Sequence, residues 1–159
     1  MPTATKEQSK KPPMTDPAAF ETAVRAGLAY RLGRENSIND QLQLSLVGCD
    51  ASVPSVEFVH EVTAWDLNVA GNLHGGIIST LMDSTMGLLS KAYTGARFTP
   101  TISLTVNFLH GVKEGESLHV RAEMTHAGGR ILQLNASCWT DDPTKPAATA
   151  MGTFYRRPE

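Results

Sequence analysis

A long helical period, from Gly75 or Gly76 to about Tyr93, stands in a chain whose later apolar residues alternate one by one with polar ones. Placed at about 100° per residue, Ile77, Ile78, Leu81, Met82, Met86, Leu88 and Leu89 share one broad arc of that helix. The opposite arc holds Ser79, Thr80, Asp83, Ser84, Gly87 and Ser90, with no charge besides Asp83 before Lys91. A solvated helix face normally carries charged residues. A face lined with small residues suits packing against another surface or a ligand.

Everything after the turn from Gly95 to Pro100 reads as strand. Ile102, Leu104, Val106 and Phe108 alternate with Thr101, Ser103, Thr105 and Asn107. After the Gly111 to Gly115 turn, Leu118, Val120, Ala122 and Met124 alternate with His119, Arg121 and Glu123. The Gly128-Gly129 turn leads to Leu132, Leu134, Ala136 and Cys138, and Asp141-Asp142-Pro143 precedes a last strand from about Ala147 to Arg156. Strands joined by short turns imply an antiparallel sheet. The helix must cover one face of it, which gives an α+β class.

Ahead of the long helix, Asp16-Pro17 supplies a capping acid and a first-turn proline, and Phe20, Val24, Leu28 and Leu32 recur at helical spacing up to Gly33. Residues 34–41 read as a polar connection. Leu42, Leu44 and Leu46 alternate as a half-buried strand does, and a second strand runs from Val56 to about Thr63. Trp65 to Leu73 is a loop rich in Asn, Asp and Gly.

With 159 residues and 41% hydrophobic content, the chain fits one domain with a real core. Residues 1–17 read as a disordered tail and 18–159 as the domain; Met1 to Pro17 has lysines and prolines but no signal-peptide core. A net charge of −2 and scattered Lys and Arg argue against nucleic acid, and no apolar stretch approaches the ~20 residues of a membrane helix. Cys49 and Cys138 lack metal-ligand or CxxC spacing, and the histidines lack mutual ligand spacing, so no metal is expected. Two free thiols suit a cytoplasmic protein.

Asn68-Val69-Ala70-Gly71-Asn72-Leu73-His74-Gly75-Gly76 joins the loop to the long helix. Backbone N–H groups at a helix start are unpaired and partly positive, and glycines let an electron-rich oxygen approach them closely. That is the raw material of an oxyanion hole. Asp83 is the one acid on the helix it opens.

The combination of Asn68, Gly71, His74-Gly75-Gly76, Leu81 and Asp83, with the Ser103 to Asn107 strand and the closing Ala150 to Tyr155 strand, resembles the hotdog-fold acyl-CoA thioesterases of the phenylacetate-degradation (PaaI-like) type over roughly residues 40–157. The resemblance implies a long central helix wrapped by an antiparallel sheet. It implies a homodimer with two active sites at the helix-containing interface, usually doubled to a homotetramer. Asp83 matches the catalytic carboxylate, Gly75 the backbone donor to the thioester oxygen, Asn68 a side-chain donor beside it, His74 the histidine that shapes the turn, and Ser103 a polar residue near the attacking water. The substrate it implies is an acyl-CoA with an aryl-acetyl or small-to-medium acyl group, coenzyme A being part of the substrate and no cofactor being needed.

Thioester hydrolysis needs negative charge stabilised on the carbonyl oxygen and an activated nucleophile. Gly75 and Asn68 meet the first need; Asp83, deprotonating water or attacking directly, meets the second. Arg97 and Arg130 are candidates for the coenzyme A phosphates, since a planar guanidinium suits them. Two other readings remain open on the sequence: a non-catalytic acyl-CoA sensor, and a hotdog dehydratase or hydratase. Each residue also has a plainer role, Asp83 as a solvated helix acid, His74 as a brace of the turn, Asn68 as a turn former and Ser103 as an outward polar position.

Overall fold

The computed structural model describes residues 14–157; most of the expected tail, residues 1–13, lies outside them. The element order is α1 (Pro17–Leu32), α2 (Ile38–Leu42), β1 (Ser45–Asp50), β2 (Ser55–Glu61), α3 (Gly75–Thr94), β3 (Thr101–Phe108), β4 (Ser117–Ala127), β5 (Ile131–Trp139) and β6 (Ala148–Tyr155). The start of α1 follows the capping logic: the Asp16 carboxylate accepts from Ala19 N at 2.7 Å, Pro17 needs no partner for an absent N–H, and Gly33 closes the helix.

The connection at 34–41 is not irregular throughout. Ser37 caps the short helix α2 by accepting from Asp40 N at 3.2 Å. Leu42 ends that helix and Gln43 turns left-handed at φ 42°, so the strand expected from Leu42 begins at Ser45. Leu42 and Leu44 are buried by this turn rather than by strand alternation.

All six strands pair antiparallel in the order β1-β2-β4-β5-β6-β3. Although β3 and β4 follow each other in sequence, β3 crosses to the far edge and pairs with β6. On one face of the sheet lies α3, with Leu81, Met82, Met86 and Leu89 fully buried against a cluster that includes Phe58, Val120, Leu134 and Phe154. Burying one such side chain contributes roughly 1.5–3 kcal/mol. The approach is closest at Gly152 of β6, where an added Cβ would lie 2.9 Å from both Met86 Sδ and a ring carbon of Phe154.

The small-residue arc of α3 is covered from within the chain at Ser84, Gly87 and Ser90, whereas Ser79, Thr80 and Asp83 stay half-buried. Gly27 of α1 comes close enough that a Cβ there would sit 3.6 Å from Leu88. The Arg31 guanidinium of α1 donates to the Ser84 carbonyl, and Ser84 Oγ donates to Asn39 Oδ1 of α2 at 3.1 Å. Small side chains on α3 therefore admit the two helices beside Ser84, and Ser84 and Ser90 are both buried. The C-terminus of α3 ends at Gly95, left-handed at φ 62°, whose N–H donates to Lys91 O at 2.9 Å.

At the start of β3 the register slips. Thr101 lies opposite Phe154 while Ser103 lies opposite Thr153, so two steps along β3 match one along β6. Such a bulge exchanges the faces of the residues on either side of it. Leu104 and Val106 face inward, opposite Gly152 and Ala150. Thr101 joins them on the helix side through the slip, and Ser103 stays on the outer face with Thr105 and Asn107.

Candidate active site

The turn ahead of α3 is anchored from several directions. Asp66 ends a single 3-10 turn (Ala64–Asp66), and its Oδ2 accepts from Thr63 N at 2.7 Å and Thr63 Oγ1 at 2.8 Å. His60 is buried beside it, with Nε2 at 3.2 Å from the same oxygen and Nδ1 at 2.6 Å from the Leu42 carbonyl. The Asp66 carbonyl then accepts from His74 N at 2.8 Å, and Val112 O from Leu73 N at 2.8 Å. This pair, to which the sequence reading gave no role, holds the start of α3 against the sheet.

Asn68 closes the loop. Its N–H donates to Asn72 O at 2.8 Å and its Oδ1 accepts from Ala70 N at 2.9 Å and Asn72 N at 3.3 Å, with Gly71 left-handed at φ 69°. Its side-chain Nδ2 has no hydrogen bond among the described residues. Asn68 thus shapes the turn with its oxygen and keeps a donor to spare.

His74 is the N-cap of α3. Its Nδ1 accepts from Gly76 N at 2.9 Å, and its carbonyl accepts from Ile77 N at 2.9 Å and Ile78 N at 3.1 Å. Of the first four amides of the helix, Gly75 N–H alone has no such partner among the described residues. A Cβ at Gly75 would sit 3.1 Å from the Phe108 ring, so the glycine leaves room beside an exposed aromatic of the edge strand.

Asp83 is half-buried, and its Oδ1 accepts from Thr101 Oγ1 at 2.6 Å. The position expected for Ser103 is therefore held by Thr101. Ser103 lies across the bulge on the outer face, away from Asp83. Arg31 approaches from α1; burial lowers its pKa, and the nearby Asp83 carboxylate opposes that shift. At 1.5 Å per residue, the eight residues from Gly75 to Asp83 span about 12 Å. One chain thus does not bring its free amide and its carboxylate to the same carbonyl group.

Arg97 stands on the rim of a cavity of about 930 Å³ between α1, α3 and the 95–100 loop. Arg130 lies outside that lining, exposed in the β4–β5 turn, where its carbonyl accepts from Arg156 N at 2.8 Å. Arg130 is thus not among the residues that line the cavity with Arg97. Sequence reasoning missed Thr101, whose face depends on the bulge, and Arg31, which no spacing links to Asp83.

The sequence model of the thioesterase superfamily matches residues 70–147, a stretch that holds His74, Gly75, Asp83 and Thr101. Over that stretch the chain is similar to the thioesterase superfamily. That match, with the thioesterase structures that share the chain's fold, supports a thioester hydrolase. Its α+β hotdog fold, with α3 as the central helix, is shared with solved structures. It is similar to the E. coli PaaI protein of the phenylacetic acid degradation operon, at 18% identity and TM-score 0.73, covering 87% of this chain and 96% of that one. It is similar to the conserved protein PA5202 of Pseudomonas aeruginosa, at 28% identity and TM-score 0.68, covering 79% and 99%. A third is smu.793 of Streptococcus mutans, solved bound to acetyl-CoA, at 24% identity and TM-score 0.66, covering 74% and 90%. Among curated proteins, none matches the chain at a significant level. Among the described residues no helix is long and apolar enough to cross a membrane.

Proposed function

We propose that this chain hydrolyses acyl-CoA to free acid and coenzyme A, in a site assembled from two copies of the chain. The carrying observation is the separation of its parts: a free first-turn amide at Gly75 and a carboxylate at Asp83, about 12 Å apart on one helix. A second copy brings the Gly75 of one subunit to the Asp83 of the other. Gly75 N–H, with the spare Asn68 Nδ2 donor as its assigned companion, stabilises the charge that develops on the thioester oxygen. Thr101 engages one Asp83 oxygen and leaves the other to take a proton from water, or to attack the carbonyl and form a mixed anhydride that water then opens. In both routes the C–S bond breaks and coenzyme A leaves as the thiol. The acetyl-CoA bound by the S. mutans neighbour supports an acyl-CoA as the substrate. Aryl-acetyl and small-to-medium acyl groups are the proposed cargo, by likeness to the phenylacetate-degradation type, and the open outer edge of β3, the strand that ends at Phe108, supports the pairing of two sheets.

The test is complementation. Gly75→Pro removes the amide proton from a first-turn position where proline is accepted, after a residue whose ψ of 132° already suits it. Asp83→Asn removes the base. Each variant alone is expected to be inactive, and a tandem-purified heterodimer of the two to recover roughly half of wild-type coenzyme A release, because one of the two symmetric sites is intact. A silent heterodimer of two folded variants overturns the two-copy site.

A further inference from the structure

Five cations line the cavity beside α1: Arg31, Arg34, Lys91, Arg97 and Arg157, with no acid among its lining residues. Helix C-termini account for part of this. Arg31 and Lys91 lie in the last turns of α1 and α3, where cations are favourable. Arg97 and Arg157 come from a loop and from beyond β6, and nothing of that kind places them there. Three of the five, Arg31, Arg34 and Arg157, lie outside the residues that match the superfamily. Of these cations Arg31 has the Asp83 carboxylate nearby; the others, with no acid in the lining, repel one another, and a bound anion relieves that repulsion.

The cavity also has a defined relation to Asp83. Gly87 follows Asp83 by one helical turn, about 6 Å. Thr99 Oγ1 donates to Gly87 O at 3.3 Å as Thr101 donates to Asp83, so the same segment runs along both positions. A Cβ at Gly87 would sit 3.3 Å from Arg31 Nη2, so the glycine leaves the guanidinium its place. Arg31 spends Nη1 on the Ser84 carbonyl and retains further donors in a planar array that suits a carboxylate. Aromatic rings of Tyr30 and Phe98 complete the walls.

We propose that this cavity receives the far end of the acyl group and selects acyl thioesters that end in a carboxylate. The proposal rests on the acyl-CoA reading of the site. A phosphate is the other anion such a cluster would take, but the pantetheine arm of coenzyme A holds its phosphates far from the thioester, whereas Arg31 lies within Coulombic reach of Asp83. A few methylene groups, by contrast, bridge one helical turn.

The test compares adipoyl-CoA with hexanoyl-CoA, and suberoyl-CoA with octanoyl-CoA, by thiol release from the full chain. Wild type is expected to favour the carboxylate-ended partner by about tenfold or more in kcat/KM, the scale of one charge-assisted hydrogen bond. Arg31→Gln, which retains a donor for Ser84 O, is expected to bring that ratio close to one. Arg97→Ala, at an exposed position, is expected to lower the ratio without risk to folding. Equal kcat/KM for the pairs in wild type overturns the proposal and leaves hydrolysis standing. If the variants slow all coenzyme A esters equally but spare the matching pantetheine esters, the cations serve the phosphates and the proposal falls. Should no thioester be cleaved, the function reading fails. The cavity is then judged by calorimetry with S-(5-carboxypentyl)-CoA against S-hexyl-CoA: tighter binding of the former, lost in Arg31→Gln, upholds it, and equal binding refutes it.

Discussion

At the first turn of α3, His74, Gly75 and Gly76 are neighbours in the chain and make their own geometry; at its middle, Asp83 takes its partner from a residue 18 positions later. The first region is a local device. One histidine satisfies three amides and leaves the fourth free, and the rest of the chain acts on it through the anchors at Asp66 and Val112 and through the Phe108 ring. The middle is a tertiary device, set by where β3 begins and by the slip that turns Thr101 inward. On the proposed function, loss of the chemistry would come by two routes, one by editing the motif and one by shifting a strand.

The strongest way to sharpen this contrast is Asp83→Asn, which keeps the shape and a contact to Thr101 while removing the base. Coenzyme A release is expected to fall by about 10²- to 10⁴-fold, with an unchanged melting curve to within a few degrees. Gly75→Pro follows, at about 10²- to 10³-fold for one oxyanion donor. Gly75→Ala is its control, since it adds the same Cβ toward Phe108 and keeps the N–H; an equal loss in both would assign the effect to crowding of the ring and break the local reading. Thr101→Val tests the distant half. Removing a hydrogen bond to a charged group is expected to lower kcat by about 10- to 100-fold, with Thr101→Ser restoring most of it. Ser103→Ala, on the outer face, is expected to change kcat by less than about twofold, within the range of surface substitutions. A larger effect of Ser103→Ala than of Thr101→Val would reverse the two faces.

The same contrast explains what was legible in the sequence. The bounds of α1 and α3 were readable because Asp16, Gly33, His74 and Gly95 are local signals that act within a few residues. The central helix over an antiparallel sheet was readable because the change of period is itself the cause of the two kinds of packing. Strand order was not, since alternation says which face a residue takes and nothing about its neighbour strand. The polarity of 34–41 hid α2, a short helix held by Ser37 and by contact with Ser84 rather than by an apolar stripe. In the site, His74, Gly75 and Asp83 were legible as a motif on one helix. Thr101 was not, because simple alternation assigns it to the same face as Ser103, and only the pairing with β6 separates them. Arg31 was hidden for a similar reason: it reaches α3 through the packing of α1, a relation with no fixed spacing.

The slip at Ile102 has a consequence for how such a chain can diverge. The strand carries polar residues at alternate positions, and the extra residue decides which of them reads in frame with the helix. Relocating it by a step, through a one-residue insertion or deletion between Gly95 and Pro100, would change the hydroxyl offered to the carboxylate without replacing any amino acid in the strand. Loop length then behaves as a reading-frame control on chemistry. Relatives compared position by position would look divergent at the very residue whose duty they share.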